Sequence, residues 1–177
     1  MTEEEWNLVS SCIKHDQRAA KQFYDRFSAP MFGLCLRYCD RREDAQDVLH
    51  DGFLKIFQNL HSLSPDSALA PWVRTVILRT AISFWRVRSQ RDATSLNDLD
   101  DTCQPVTVDY DRYDTDRIVQ AIRQLPHNYR LVFNLHEVEG YSYPELSSQL
   151  GLAESTVRSL CFRAKARLAA ALADLKE

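Results

Sequence analysis

Residues 143–168 read YPELSSQLGLAESTVRSLCFRAKARL, a stretch that predicts two helices separated by a tight turn. The first helix is expected over residues 143–150 and the second over residues 154–174. Gly151 lies between them and can adopt the backbone conformation that a tight turn requires. Small and apolar side chains recur at helical spacing along the second helix and should face inward: Val157, Leu160, Cys161, Ala164 and Leu168. The pattern is typical of a helix-turn-helix, whose second helix enters the DNA major groove.

The opposite face of the second helix carries side chains of the kind that contact base edges. Those expected to face outward are Arg158, Ser159, Phe162 and Arg163. They lie in the N-terminal half of the helix, which is the part that reaches the bases in a helix-turn-helix. An ordinary amphipathic pair of helices with no role in DNA binding remains the alternative.

The rest of the chain also predicts helices, so the expected fold class is all-α. Thr2 and Glu5 have the spacing of a capping box before a first helix. Further helices are expected near residues 16–28, 30–39, 41–61, 71–90, 115–124 and 127–138. No stretch alternates between apolar and polar residues as a half-buried strand would.

Charge is strongly segregated along the chain, although the formal net charge is only −3. Residues 72–91 contain five Arg and no acid, whereas residues 92–116 contain eight Asp and one Arg. The acidic stretch is rich in Ser and Thr and lacks helical periodicity, as a linker would. We therefore predict two small helical domains, 1–91 and 115–177, joined by an acidic linker over residues 92–114.

The helix expected over residues 41–61 should bury one stripe and expose an acidic row. Its apolar stripe consists of Leu49, Phe53, Ile56 and Leu60. Asp44, Asp47 and Asp51 fall on the opposite side, where like charges at this spacing disfavour the isolated helix slightly. Such a row suits a basic partner, and a simple solvated face is the alternative.

The helix expected over residues 71–90 combines a core stripe with a basic, aromatic face. The core stripe is predicted to contain Val73, Val76, Ile77, Thr80, Phe84 and Val87. The other face carries Trp72, Arg79, Ser83, Arg86 and Gln90. Arginine neutralises phosphates and an aromatic ring stacks on an unpaired base, which favours a nucleic-acid surface. Trp72 and Trp85 could equally be core residues.

Composition argues against secretion, membrane insertion and enzymatic activity. Five Cys at irregular spacing and the lack of an apolar segment after Met1 favour a cytoplasmic protein with reduced thiols. Cys35, Cys39 and His50 are the candidate residues of a metal- or thiol-dependent enzyme, but a Cys pair four residues apart is usually core. No metal, phosphate or nucleophile motif occurs, so we predict no catalytic residue, metal or cofactor.

A free-standing helix-turn-helix regulator is a second alternative, and it would need a dimerisation or effector domain to place two half-sites. The N-terminal half instead predicts a monomeric helical bundle with an acidic face.

Three segments, in order, resemble the extracytoplasmic-function group of the sigma-70 family, which are promoter-specificity subunits of bacterial RNA polymerase. DAQDVLHDGFLKIF (Asp44–Phe57) resembles the polymerase-binding part of sigma region 2. APWVRTVILRTAISFWRVRSQR (Ala70–Arg91) resembles the segment that reads the minus-ten element. LPHNYRLVFNLHEVEGYSYPELSSQLGLAESTVRSLCFRAKARL (Leu125–Leu168) resembles region 4, which reads the minus-thirty-five element.

The resemblance implies three sets of functional residues. The polymerase-binding set is Asp44, Asp47, His50 and Asp51. The minus-ten DNA-binding set is Trp72, Arg79, Ser83, Arg86 and Arg88. The minus-thirty-five set is His136, Thr156, Arg158, Ser159, Phe162, Arg163 and Lys165. The implied partners are core RNA polymerase, double- and single-stranded promoter DNA and an anti-sigma factor, with no stable membrane insertion.

This sequence departs from the family pattern at several of these positions. His50 and Asp51 stand where Gln and Glu are usual in the family. Gly52 follows in the middle of the predicted helix, where glycine lowers helix stability by about 1 kcal/mol relative to alanine. Arg79 and Ser83 stand where the family commonly has Asn and Asp. The strength of binding to the clamp helices of core polymerase, and the base sequence preferred in the minus-ten element, are therefore expected to differ from those usual in the family.

Overall fold

A computed structural model describes residues 1–91 and 115–174, and every regular element in those two ranges is helical. The α-helices are α1 (Glu3–Ile13), α2 (Gln17–Tyr38), α3 (Arg42–Asn59), α4 (Leu69–Arg91), α5 (Thr115–Gln124), α6 (His127–Phe133), α7 (Tyr143–Leu150) and α8 (Glu154–Asp174). The all-α prediction is confirmed for the described part of the chain. The predicted acidic linker, residues 92–114, lies outside the described residues.

The chain divides into two compact units, Met1–Trp85 and Arg86–Glu177, with the division inside α4. In the first unit α1 packs on α2 and α2 packs on α3. The predicted capping box starts α1: the Glu5 N–H donates to Thr2 Oγ1 at 3.2 Å, and the Thr2 N–H donates to the Glu5 carboxylate at 3.0 Å. These bonds satisfy donors that the start of a helix leaves without intrahelical acceptors.

One continuous helix, α2, replaces the two helices that were expected over residues 16–28 and 30–39. The expectation was wrong because Pro30 lies within the helix rather than ending it. Proline removes one helical hydrogen bond and crowds the preceding turn. Phe27, Met31 and Leu34 are buried on both sides of it at helical spacing. Burial of that shared face favours a single helix despite the proline.

Helix α3 buries the predicted stripe and approaches α4 closely at Gly52. Leu49, Phe53, Ile56 and Leu60 are all buried, the last in a short 3₁₀ turn, Leu60–Ser62. A Cβ atom placed on Gly52 would overlap Cδ1 of Ile77, which is fully buried in α4. The mid-helix glycine is therefore explained by the close packing of α3 against α4.

Substitution Gly52→Ala tests this packing. Better helix propensity contributes about 1 kcal/mol, while overpacking costs about 1–3 kcal/mol, so we expect a net loss of about 1 kcal/mol in unfolding free energy. Ile77→Val removes the overlapping methyl group and should cost less in the Gly52→Ala background than in the wild-type chain. Urea unfolding of the four proteins measures this coupling. Strictly additive losses would show that Ile77 is not the group Gly52 accommodates.

The core stripe predicted for α4 is only partly correct. Val73, Ile77 and Thr80 are buried, whereas Val76 and Phe84 are half-buried and Val87 is 53% exposed. Trp85 is 1% exposed and is therefore a core residue rather than part of a nucleic-acid surface. Val87 is exposed because the buried side of α4 runs through Leu78, Ile82 and Trp85 instead.

In the second unit α8 packs against α5, α6 and α7. Its core contains Ala121, Leu125, Phe133, Ala164, Leu168 and Leu172. All five inward positions predicted for α8 are buried. The helix expected over residues 127–138 forms, but its second half, Asn134–Val138, has the wider π geometry. Within the described ranges no helix has the length and apolarity needed to cross a membrane.

The helix-turn-helix forms as predicted. A capping box begins α7: the Glu145 N–H donates to Ser142 Oγ at 3.4 Å, and the Ser142 N–H donates to the Glu145 carboxylate at 2.8 Å. The Ser142 side chain and the Glu145 carboxylate oxygen are also 2.7 Å apart, at hydrogen-bond distance. These bonds lower the pKa of Glu145. Gly151 ends α7 with φ of 70°, a left-handed conformation that glycine adopts without steric cost. The turn thus directs the chain into α8.

Candidate functional site

The exposed acidic surface of α3 consists of Asp47, His50 and Asp51, all of which are open to solvent. Asp44, predicted with them, does not belong to it, because this side chain is only 5% exposed. The Arg41 guanidinium donates to the Asp44 carboxylate through Nε at 3.2 Å and Nη2 at 3.1 Å. This bidentate contact raises the pKa of Arg41 and makes Asp44 a structural residue at the start of α3. The prediction that Asp44 faces outward was wrong.

A groove runs beside the acidic surface between α2 and α3. Its walls include Tyr24, Ser28, Phe32, Gln46, Asp47 and His50. The Tyr24 ring packs on the Phe53 ring at 4.6 Å between centroids, yet Tyr24 remains 42% exposed. The acidic surface is therefore flanked by aromatic and polar groups that can accept a partner's side chains.

Three of the five predicted minus-ten residues, Trp72, Arg79 and Ser83, line a pocket between α3 and α4 of about 360 Å³. Its lining residues are Lys55, Asn59, Ser62, Trp72, Val76, Arg79, Thr80 and Ser83. Arg79 and Ser83 are exposed, while Trp72 is half-buried. The pocket thus combines an indole ring, a guanidinium and hydroxyl groups, which are the groups that stack on a base and bind phosphate.

Lys55 is a pocket residue that the sequence analysis missed. Its ammonium donates to Thr80 Oγ1 at 3.3 Å, and the Thr80 hydroxyl in turn donates to the Val76 carbonyl at 2.9 Å. Lys55 can be assigned to the pocket only from the structure, because it lies in α3 and reaches Thr80 of α4 in the folded chain. Arg86 and Arg88 lie farther along α4 and are not among the residues lining the pocket.

Most residues predicted to face outward on α8 are at least partly accessible. Arg158 is exposed, and Ser159 and Phe162 are half-buried. Thr156, which only the family resemblance implied, is also half-buried. The Arg158 guanidinium donates to Glu154 at 2.7 Å and lies 4.8 Å from the centroid of the Tyr143 ring. These contacts hold Arg158 on the surface of the helix-turn-helix, although its side chain is 48% exposed.

The prediction that Arg163 faces outward was wrong. This side chain is only 7% exposed. Three helices cover α8, so the buried side is wider than the single stripe that periodicity indicates. Arg163 lies next to the inward-facing residues Cys161 and Ala164 on the helix and is buried with them.

His136 and Lys165 belong to a polar group that we call the Glu137 cluster, with Glu137 and Cys161. Lys165 Nζ is 2.7 Å from Glu137 Oε1, and His136 Nε2 is 3.5 Å from the same oxygen. Cys161 Sγ lies 4.0 Å from that oxygen and is fully buried. Burial raises the pKa of Cys161. No sequence motif singles out Glu137, because its contacts with Cys161 and Lys165 form only when α8 packs beside the π segment.

Tyr143 packs beside the Glu137 cluster. Its ring stacks on His136 with centroids 4.2 Å apart. Burial, followed by the neighbouring Cys161, raises the pKa of the Tyr143 hydroxyl to about 12. His136 and Lys165 are thus held by neighbours in the folded chain, rather than extending freely into solvent.

The residues considered for an enzyme are not grouped in the first unit. Cys35 and Cys39 are buried in the core, whereas His50 is exposed on α3. Burial raises the pKa of Cys35 to about 12, so its thiol is protonated at neutral pH. Cys12, Cys35, Cys39 and Cys161 are all free thiols.

Comparison with known proteins finds two family models. Sigma-70 region 2 matches residues 23–91, and Sigma-70, region 4 matches residues 115–168. Together the two matches span more than half of the chain. The first contains the acidic surface and the α3–α4 pocket, and the second contains the helix-turn-helix.

Curated relatives match over nearly the whole chain. RNA polymerase sigma-H factor of Pseudomonas aeruginosa is 28% identical, covering 98% of this chain and 96% of the relative. ECF RNA polymerase sigma factor SigM of Mycobacterium tuberculosis is also 28% identical, covering 95% and 84%. Among solved structures, sigma factor RpoE of Bartonella quintana, crystallised with the anti-sigma factor NepR, is 21% identical, covers 89% of this chain and 98% of its own, and has a TM-score of 0.49.

Proposed function

Because this chain belongs to the extracytoplasmic-function group of the sigma-70 family, and so to the RNA polymerase sigma factors of transcription initiation, we propose that it selects promoters through both DNA elements. It binds core RNA polymerase, recognises the minus-thirty-five and minus-ten elements and promotes strand opening. The family is one of binding proteins rather than enzymes. We assign residues 1–91 to core and minus-ten binding, 92–114 to the acidic linker, and 115–177 to minus-thirty-five recognition.

The acidic surface of α3 is the proposed polymerase contact. Asp47, His50 and Asp51 are exposed beside the α2–α3 groove, so a basic helical partner can reach the carboxylates and the aromatic wall together. Complementary charge increases both the association rate and the specificity of such an interface. Asp44 is excluded from the contact because its carboxylate is buried against Arg41.

The observation that carries the proposed minus-ten function is the composition of the α3–α4 pocket. A flipped base can stack on the accessible part of Trp72, while Arg79 and Lys55 neutralise the neighbouring phosphates. Ser83 supplies a hydroxyl for hydrogen bonding at the rim. Since no nucleotide is hydrolysed, the binding energy of the unstacked base must offset the cost of opening the pair. Arg86 and Arg88 extend the positive charge along α4.

The proposed minus-thirty-five surface is the N-terminal half of α8. Arg158, Ser159, Thr156 and Phe162 are its accessible members, and Arg163 supports the helix from within the fold. His136 and Lys165 border it from the Glu137 cluster. We further propose an anti-sigma factor as a partner, and the cytoplasm, where chromosomal DNA is transcribed, as the place of action.

The proposed promoter selection can be tested with core polymerase from the source organism. Core enzyme reconstituted with the chain is incubated with fragmented genomic DNA, and the retained fragments are sequenced. We expect fragments sharing two short motifs at a fixed spacing, enriched only when the chain is present. Retention of the same fragments by core enzyme alone, or of fragments without common motifs, would contradict the proposal.

Substitution Arg158→Ala distinguishes base reading from phosphate binding. If Arg158 makes a bidentate base contact, the substitution costs about 1–3 kcal/mol and relaxes the preference at one base pair. Affinities for a set of minus-thirty-five variants at fixed salt measure this. Equal losses on every variant would instead identify a phosphate contact. Arg167→Ala is the control, since Arg167 is exposed on the same helix but stacks on Tyr129 with its guanidinium 5.1 Å from the ring centroid.

A further inference from the structure

The Glu137 cluster contains three kinds of metal-binding donor within a small volume. His136 Nε2, a Glu137 carboxylate oxygen and Cys161 Sγ all lie within 4.8 Å of one another. The separations measured from Glu137 Oε1 are 3.5 Å to Nε2 and 4.0 Å to Sγ. Ligands at Zn²⁺ bond lengths in a tetrahedral centre are about 3.3–3.8 Å apart. The Nε2–Oε1 pair is already at this separation, Sγ has to approach Oε1 by a few tenths of an ångström, and Nε2 and Sγ have to approach each other by up to about 1 Å.

His136 is already oriented as a metal ligand. Its Nδ1 is 2.7 Å from the carbonyl oxygen of Tyr141, which can only accept a hydrogen bond, so Nδ1 carries the proton. In the neutral imidazole the lone pair is then on Nε2, the atom nearest Glu137. A histidine that donates from one nitrogen to a backbone carbonyl and binds with the other is a recurrent arrangement in metal sites. The stacked Tyr143 ring further restrains the imidazole.

The opposed acceptor atoms favour a cation between them. In the neutral imidazole, Nε2 and Glu137 Oε1 are both acceptors, and they lie 3.5 Å apart. Lys165 currently supplies positive charge to that oxygen at 2.7 Å, from a long side chain that is 23% exposed. A divalent ion could replace the ammonium, because Lys165 can rotate toward solvent and free the carboxylate oxygen.

We propose that His136, Glu137 and Cys161 form a binding site for a divalent transition-metal ion, best suited to Zn²⁺. The mixed nitrogen, oxygen and sulfur donors match the preferences of Zn²⁺. A water molecule supplies the fourth ligand. When the metal–sulfur bond forms, the Cys161 S–H bond breaks and its proton passes to solvent. The ion connects the π segment to α8 and so stabilises the second unit.

The test uses metal-free full-length chain titrated with Co²⁺, whose thiolate complexes absorb strongly in the near ultraviolet. We expect one Co²⁺ per chain with a thiolate-to-cobalt absorption that Zn²⁺ abolishes by displacement. Cys161→Ser should remove this absorption and weaken Co²⁺ binding by at least about tenfold. Cys12→Ala is the matched control, because Cys12 is also a buried free thiol but lies in α1. It should retain the full signal.

Lys165→Met provides a second, independent test. Removing the competing ammonium should tighten Co²⁺ binding several-fold, and Zn²⁺ should raise the melting temperature of this variant more than that of the wild type. Absence of the absorption in the wild type, its persistence in Cys161→Ser, or unchanged affinity in Lys165→Met would each overturn the proposal. None of these measurements involves polymerase or promoter DNA, so their outcome is separate from that of the proposed promoter function.

Discussion

Replacing both Asp47 and Asp51 with Lys is expected to lower the affinity of the chain for core RNA polymerase by at least about 100-fold. Both carboxylates are exposed on α3 beside the α2–α3 groove. Reversing them replaces attraction to a basic partner by repulsion, and loss of close charge pairs at interfaces costs about 2–5 kcal/mol. A 100-fold loss corresponds to about 2.7 kcal/mol. Affinity is measured by titrating labelled chain with core enzyme at fixed salt.

The control for this experiment is the double substitution Glu3→Lys and Asp25→Lys. Both residues are exposed in the first unit, and the change in net charge is the same. The control should bind core enzyme nearly as well as the wild type. Circular dichroism checks that both variants keep their helices. Equal losses in the two variants would mean that total charge, rather than the acidic surface, governs binding.

Substitution Arg79→Glu is expected to reduce the population of open promoter complexes by about 100-fold. Arg79 is exposed at the α3–α4 pocket, near Trp72 and Ser83. Loss of one charge-assisted hydrogen bond costs about 1.5–3 kcal/mol, and repulsion between the new carboxylate and phosphate adds to it. Because Arg79 is not among the residues that line the α2–α3 groove beside the acidic surface, core binding should be unchanged. Fluorescence of a base analogue placed in the minus-ten element reports the open population.

The matched control is Arg18→Glu, which makes the same change of charge on an exposed residue of α2. It should form open complexes at the wild-type level. If Arg79→Glu also opened the promoter normally, the α3–α4 pocket would not be the site that holds the unpaired base. If Arg79→Glu instead weakened binding to core polymerase, the loss of open complexes would come from reduced binding of the chain to core enzyme and not from the pocket.

Periodicity predicted the helices well because amphipathic patterns depend on local spacing. The capping boxes at Thr2 and Ser142 and the left-handed Gly151 are likewise local features. Pro30 shows the limit of this reasoning, since shared burial on both sides keeps α2 continuous. The sequence predicted a break because the tertiary packing that stabilises the helix is not a local property.

The candidate sites could be predicted only as helix faces. Asp44 and Arg163 fall on the expected sides of their helices by spacing, yet both are buried. Asp44 is paired with Arg41 at the start of α3, and Arg163 is buried where three helices pack around α8. Glu137 and Lys55 gain their significance from neighbours distant in the chain, Cys161 and Thr80. Such contacts depend on packing between helices, which a single sequence does not specify.

Strand opening on a promoter recovered from the genomic selection is the most direct test of the proposed function. Permanganate oxidises unpaired thymines and so maps the melted region in the presence of core enzyme alone or core enzyme with the chain. We predict reactive thymines across the minus-ten element only when the chain is present, with no added nucleotide triphosphate. A promoter that stays fully paired, although core enzyme and the chain are both bound to it, would contradict the account.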